Sequence, residues 1–172
     1  MKIREKILPV LQPVGGDEEI KNLSESISNG WWGKGPKVAE FEKQFAEMVG
    51  SKYAVAVTSN TAGQDLVIKA LGLKGCDIIS PTMSFMTTAV VPLWNDCTST
   101  IVDVLDNTLC IDPEDVRRKL KSDTKLIIAV NFAGVPAPID EIRKFYNGFI
   151  LEDCAHSCYT PGAGSKGDAA VW

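Results

Sequence analysis

The chain has 172 residues, 45% of them hydrophobic, and 18 Lys and Arg against 22 Asp and Glu give a net charge of -4. That length predicts one domain with a substantial core, and the absence of any dense Lys or Arg run argues against a nucleic-acid partner. The opening MKIREKILPV mixes charge signs where a signal peptide needs an apolar stretch, and no segment reaches about 18 uninterrupted apolar residues, so the expectation is a cytoplasmic protein without membrane contact.

In chain order, Asp17 is a plausible N-cap for a short amphipathic helix with Ile20, Leu23 and Ile27 on one face, closing at Gly30. A Gly-rich connector, GWWGKG, leads to Pro36 in a first helical turn, and Val38, Phe41, Phe45 and Met48 make an apolar stripe that ends at Gly50. From Tyr53 the pattern changes. YAVAV, DIIS, TIVDV, KLIIAV and GFILED read as β-strands, with helices predicted through Leu71, over Met86 to Trp94, from Asp112 and Pro113, and over Ile139 to Tyr146. Near-continuous apolar strands alternating with helices predict an α/β fold, a three-layer α/β/α arrangement with a mainly parallel sheet. Ligands of such sheets gather at the carboxyl ends of the strands.

Three stretches at those ends could carry chemistry. In VTSNTAGQ, Thr61 and Gln64 fit a capping box, and the polar entry Ser59–Asn60 with its free backbone N–H groups would suit a phosphate. An ordinary helix cap explains the same residues. In PTMSFMTT, Phe85 stands on a strand-to-helix turn and could lie against a planar heteroaromatic ligand, or belong to the core of the next helix. In ILEDCAHS, Asp153 leaves a buried strand, where a lone negative charge is costly and a protonated pyridine nitrogen would offset it. His156, the only histidine of the chain, could bond an oxygen on the same ring or hold Asp153 in place. Structural hydrogen bonds are the plainer reading of both. Five cysteines without a CxxC pair point to reduced thiols; Cys154, His156 and Cys158 lack a fourth ligand, so no metal is expected.

From Gly30 to Trp172, GWWGKGPKVAEFEKQFA, YAVAVTSNTAGQDLVIKALGL, IISPTMSF, IVDVLDNTLCIDPE, NFAGVPAPIDEI, ILEDCAHS and GSKGDAAVW together resemble the pyridoxal-phosphate-dependent sugar aminotransferases of the DegT/DnrJ/StrS type, within fold type I. The resemblance implies pyridoxal 5'-phosphate as cofactor, held at its phosphate by Asn60 and Thr61, stacked on Phe85, paired at the ring nitrogen with Asp153 and approached at its hydroxyl by His156. Asp153 and His156 are then the catalytic candidates, since an acid at the nitrogen keeps the ring an effective electron sink. The implied substrates are a nucleotide-linked keto-sugar and an amino donor such as glutamate, in a homodimer. Asn60 stands where the family commonly has Gly, and Asn131 where His is frequent.

Family members carry the Schiff-base lysine a short way beyond the Gly-Asp of GDAAVW, and Lys166 does not match that position. The expectation is therefore a truncated enzyme, with residues 1–35 an N-terminal segment and helix and 36–172 a partial cofactor-binding large domain. Alone, such a chain is expected to be inactive. Some members are sugar dehydratases with histidine at the lysine position, so a fragment of a dehydratase is an alternative. A non-catalytic binding or assembly subunit is another.

Overall fold

A computed structural model describes residues 12–172; MKIREKILPV, the start of the 1–35 segment, lies outside the described residues. Six α-helices and five strands follow in the order α1 (Asp17–Ser28), α2 (Pro36–Val49), α3 (Asn60–Ala70), β1 (Asp77–Pro81), α4 (Thr87–Trp94), β2 (Thr98–Val102), α5 (Pro113–Lys119), β3 (Thr124–Val130), α6 (Ile139–Arg143), β4 (Phe149–Asp153) and β5 (Ala169–Val171). The strands form one parallel sheet in the order β2-β1-β3-β4-β5.

Alternation along the strands builds the three layers. Ile78, Leu126, Ile128 and Leu151 face one side, where Ile68 of α3 and Val91 of α4 cover them. Their neighbours Ile79, Ile127, Ala129 and Ile150 face the other, against Val116 of α5 and Ile139 and Ile142 of α6. Both faces are dry, which is why these strands read as continuous apolar runs. The amino-terminal rim is closed by Asp77, fully buried and bonded to Thr98, Thr100 and Thr124, with Lys121 at 2.9 Å.

Several local expectations change. The α1 cap is Gly16, whose N–H donates to Glu19 at 2.6 Å, because Asp17 already has its place in the first turn. The α3 cap is Ser59, whose hydroxyl accepts from Ala62 N at 3.1 Å, so Thr61 and Gln64 do not form the capping box. Helix α6 ends at Arg143, short of Tyr146. Helix α2 keeps its expected bounds, closed by Gly50 in the left-handed region at φ 73°.

Residues 53–57, YAVAV, are not a strand. A strand exists only where a neighbouring backbone takes its N–H and C=O groups. Here Ala56 N donates to the Glu42 carboxylate at 3.0 Å, and no ladder forms among the described residues. The segment instead shares with Phe41, Phe45, Leu66 and Trp172 the wall of an apolar cavity of about 410 Å³. The fifth strand is Ala169–Val171, laid beside β4 by a glycine turn that buried Glu152 ties down: its carboxylate accepts from Gly164 N at 2.9 Å and from Lys166 N and Gly167 N at 2.7 Å.

Candidate functional site

The site stands at the carboxyl-terminal rim, where β4 ends on Asp153 and α3 begins on Asn60. Parallel strands with returning helices put helix starts beside strand ends, and here the approach is unusually close. A Cβ added at Gly63 would lie 2.8 Å from Val171 Cγ1, so only glycine lets α3 rest this near β5. Asn60 therefore spans the gap, its Nδ2 donating to Asp153 Oδ1 at 2.9 Å and to the Val171 carbonyl at 3.0 Å.

Asp153 is 4% exposed. Its Oδ1 also accepts from Ala155 N at 3.1 Å, and its Oδ2 accepts from Gln64 Nε2 at 2.9 Å. Burial raises its pKa above the ordinary carboxylate value; the Ala155 N–H, Asn60, the neighbouring His156 and Gln64 oppose that rise without cancelling it. No ion pair to Asp153 occurs among the described residues. With only neutral donors around it, this buried carboxylate suits a cationic partner.

Thr61 follows Asn60, and its hydroxyl meets that of Thr87 at 2.8 Å, tying the start of α3 to the start of α4. The Asn60 and Thr61 amides belong to the first turn of α3, where backbone N–H groups have no intrahelical acceptor. Phe85 precedes α4 by two residues and is 74% exposed. It is thus not the core aromatic that periodicity allowed. His156 is exposed; Nδ1 accepts from Ala133 N at 3.2 Å and the ring meets Phe132 edge-on at 5.7 Å. Asp153 is held by Asn60, Gln64 and Ala155, while His156 is held by the turn after β3.

Asn60 and Asp153 are thus joined directly, Thr61 follows Asn60 in the chain and ties it to α4, which Phe85 precedes, and His156 lies three residues beyond Asp153. Gln64 is the functional candidate that the sequence reading placed in a cap instead. Its signal is a polar side chain four residues from Asn60, on the helix face that carries Ile68 into the core. Asn131, fully buried, is a structural hub: Oδ1 accepts from Ala137 N at 2.8 Å and Nδ2 donates to Glu152 and to Cys154 Sγ, both at 3.2 Å. Cys154 is pushed up to about 12 by burial, and Lys166 pairs with Asp140 away from Asp153.

These surroundings fit pyridoxal phosphate. Asp153 suits a protonated ring nitrogen, the exposed Phe85 ring offers a flat face, and the α3 amides offer donors to a phosphate.

A model of the DegT/DnrJ/EryC1/StrS aminotransferase family matches residues 13–171. The spore coat polysaccharide biosynthesis protein SpsC of Bacillus subtilis is 38% identical, with 98% of this chain and 46% of that protein covered. Among solved structures, E. coli GDP-4-keto-6-deoxy-D-mannose-3-dehydratase with bound hydrated PLP is 32% identical with a TM-score of 0.82, covering 92% of this chain and 44% of that one. An aminotransferase from Psychrobacter cryohalolentis is 28% identical with a TM-score of 0.80, covering 86% of this chain and 39% of that one. The chain spans about half the length of the relatives it matches. Among the described residues no helix is long and apolar enough to cross a membrane.

Proposed function

Because the chain belongs to the DegT/DnrJ/EryC1/StrS aminotransferase family, we propose that it supplies the cofactor-gripping part of a pyridoxal-phosphate enzyme that aminates a nucleotide-linked keto-sugar. The observation that carries this reading is Asp153: a buried carboxylate fixed by three neutral donors at a sheet rim. When bound, the cofactor supplies an electron sink for bond breaking next to its imine carbon.

The chain's own residues have separate tasks. Asp153 keeps a proton on the ring nitrogen by favouring its charged form. Phe85 covers one ring face and excludes water from it. The Asn60 and Thr61 amides, with the dipole of α3, hold the phosphate end. His156, with Nδ1 committed to Ala133 N, has Nε2 left to donate towards the ring hydroxyl. Residues 36–172 form this large-domain portion of an enzyme that works as a homodimer, and the relatives it matches are about twice as long.

Dehydration is the second reading, favoured by the 32% identity to the E. coli dehydratase. Both share the grip on the cofactor and differ at the residue that handles the substrate carbon.

Titration of the chain with pyridoxamine 5'-phosphate, followed by protein fluorescence, tests the grip. Saturable binding is expected, weakened about three- to tenfold by Phe85→Ala through lost stacking and more strongly by Asp153→Ala. Equal affinity in all three proteins, or no binding to the parent chain, would refute the assignment.

A further inference from the structure

Two side-chain amides converge on Asp153. Asn60 Nδ2 has two hydrogens, taken by Asp153 Oδ1 and the Val171 carbonyl. Gln64 Nε2 has two, taken by Asn60 Oδ1 at 2.8 Å and Asp153 Oδ2 at 2.9 Å. Every amide hydrogen ends on an acceptor, so neither group can rotate by half a turn without facing oxygen to oxygen.

Gln64 gains little for the core by this. It is 1% exposed, in a helix that also buries Ile68, and its Oε1 has no partner among the described residues. A buried carbonyl without a donor is a cost, and an apolar side chain of the same length would avoid it. What the residue achieves lies at the carboxylate. With Ala155 N and Asn60 on Oδ1 and Gln64 on Oδ2, both carboxylate oxygens accept, which is the geometry of the ionised form.

We propose that Gln64, acting with Asn60, is a positioning residue that keeps the Asp153 carboxylate oriented and ionised before a cationic ring reaches it. This rests on the cofactor-gripping reading of the site and assigns to it a residue outside the ligand contacts. Burial works against the ionised form, so the donors are needed most while no cation is present. Few other charges bear on Asp153. On its own strand Glu152 turns to the glycine turn, and Cys154 holds its proton; beyond the strand lies the His156 imidazole, its Nδ1 taken by Ala133 N. On α3, Asp65 is occupied by Lys69 and Asn95, and β5 carries no ionisable group.

The test is a carbon-13 NMR titration of the Asp153 carboxyl in the cofactor-free chain, comparing the parent with Gln64→Met, which preserves length and removes the donor. The Asp153 midpoint should rise by about one to two pH units, the size of one lost hydrogen bond to a charge. The thermal midpoint should hold or increase, because the orphaned carbonyl is gone. Affinity for pyridoxamine 5'-phosphate should fall about tenfold at a pH between the two midpoints and recover in part above both.

An unmoved midpoint, or a Gln64→Met chain that fails to fold, would overturn the proposal, since the amide would then serve packing. Asn60→Ala gives a second reading, with a rise in the same direction. If the midpoint moves while neither protein binds the cofactor analogue, the positioning role stands and the cofactor assignment falls.

Discussion

Gly63→Ala probes the close approach on which the site depends. The new methyl would sit 2.8 Å from Val171 Cγ1 and 3.4 Å from Val171 Cβ, against roughly 3.5–4.0 Å for comfortable carbon contact. Helix α3 or strand β5 must then retreat by about 0.7 Å. Directed along the Asn60 bonds, now 2.9 and 3.0 Å, such a shift takes both beyond hydrogen-bonding range. Helix propensity alone favours alanine by about 1 kcal/mol, whereas overpacking costs about 1–3 kcal/mol and the strained Asn60–carboxylate bond adds about 1.5–3 kcal/mol. The balance is a net loss of about 1.5–5 kcal/mol. Urea denaturation would measure it, alongside binding of pyridoxamine 5'-phosphate, which should weaken in parallel. Val171→Ala removes the clashing methyl, so the double variant should lie above the sum of the single effects by about 1 kcal/mol or more. If Gly63→Ala stabilised the chain by about 1 kcal/mol and left binding intact, the close-approach reasoning would be wrong.

Three further outcomes are expected. Asp153 has a raised folded pKa, so the folded chain binds its proton more tightly and loses stability as pH rises from about 4 through the raised value; Asp153→Asn should flatten that slope in urea melts repeated across pH. Asp115 behaves oppositely: burial is outweighed by the Asp103 N–H, Lys119 and Arg118, which bring it down to about 2. Its contribution is therefore complete above about 4 and disappears as pH falls towards 2, and Asp115→Asn should remove that acid-side loss. Glu152→Gln, which replaces an anionic acceptor of three backbone N–H groups, should cost about 2 kcal/mol and speed hydrogen exchange at Lys166 and Gly167; unchanged exchange at those amides would refute its role in the turn.

Much of the fold was legible because burial on both faces writes itself as uninterrupted apolar runs, as in DIIS, KLIIAV and FILED. YAVAV misled for the same reason. Its residues are suited to a strand, but pairing is a property of two backbones, and a local pattern carries no information on whether the second is present. Ala169–Val171 escaped notice because three small residues have no periodicity; the Glu152 carboxylate places them, from a strand away. At the site, Asp153, Asn60, Thr61 and Phe85 stood out as odd residues at strand exits. The function of Gln64 did not, since a Gln near a helix start is an ordinary capping residue and its long-range reach to Asp153 crosses 89 positions of sequence.

Glu152 and Asp153 are adjacent acids on one strand, and the pleat sends them to opposite destinations, one to the glycine turn and one to the ligand rim. A one-residue misalignment of β4 would turn each acid to the opposite face of the sheet, leaving each charge without the donors built for it. Hydrophobic matching alone tolerates such an error here, because both sides of the sheet are greasy. The acid pair therefore favours the native alignment, in which both charges meet their donors.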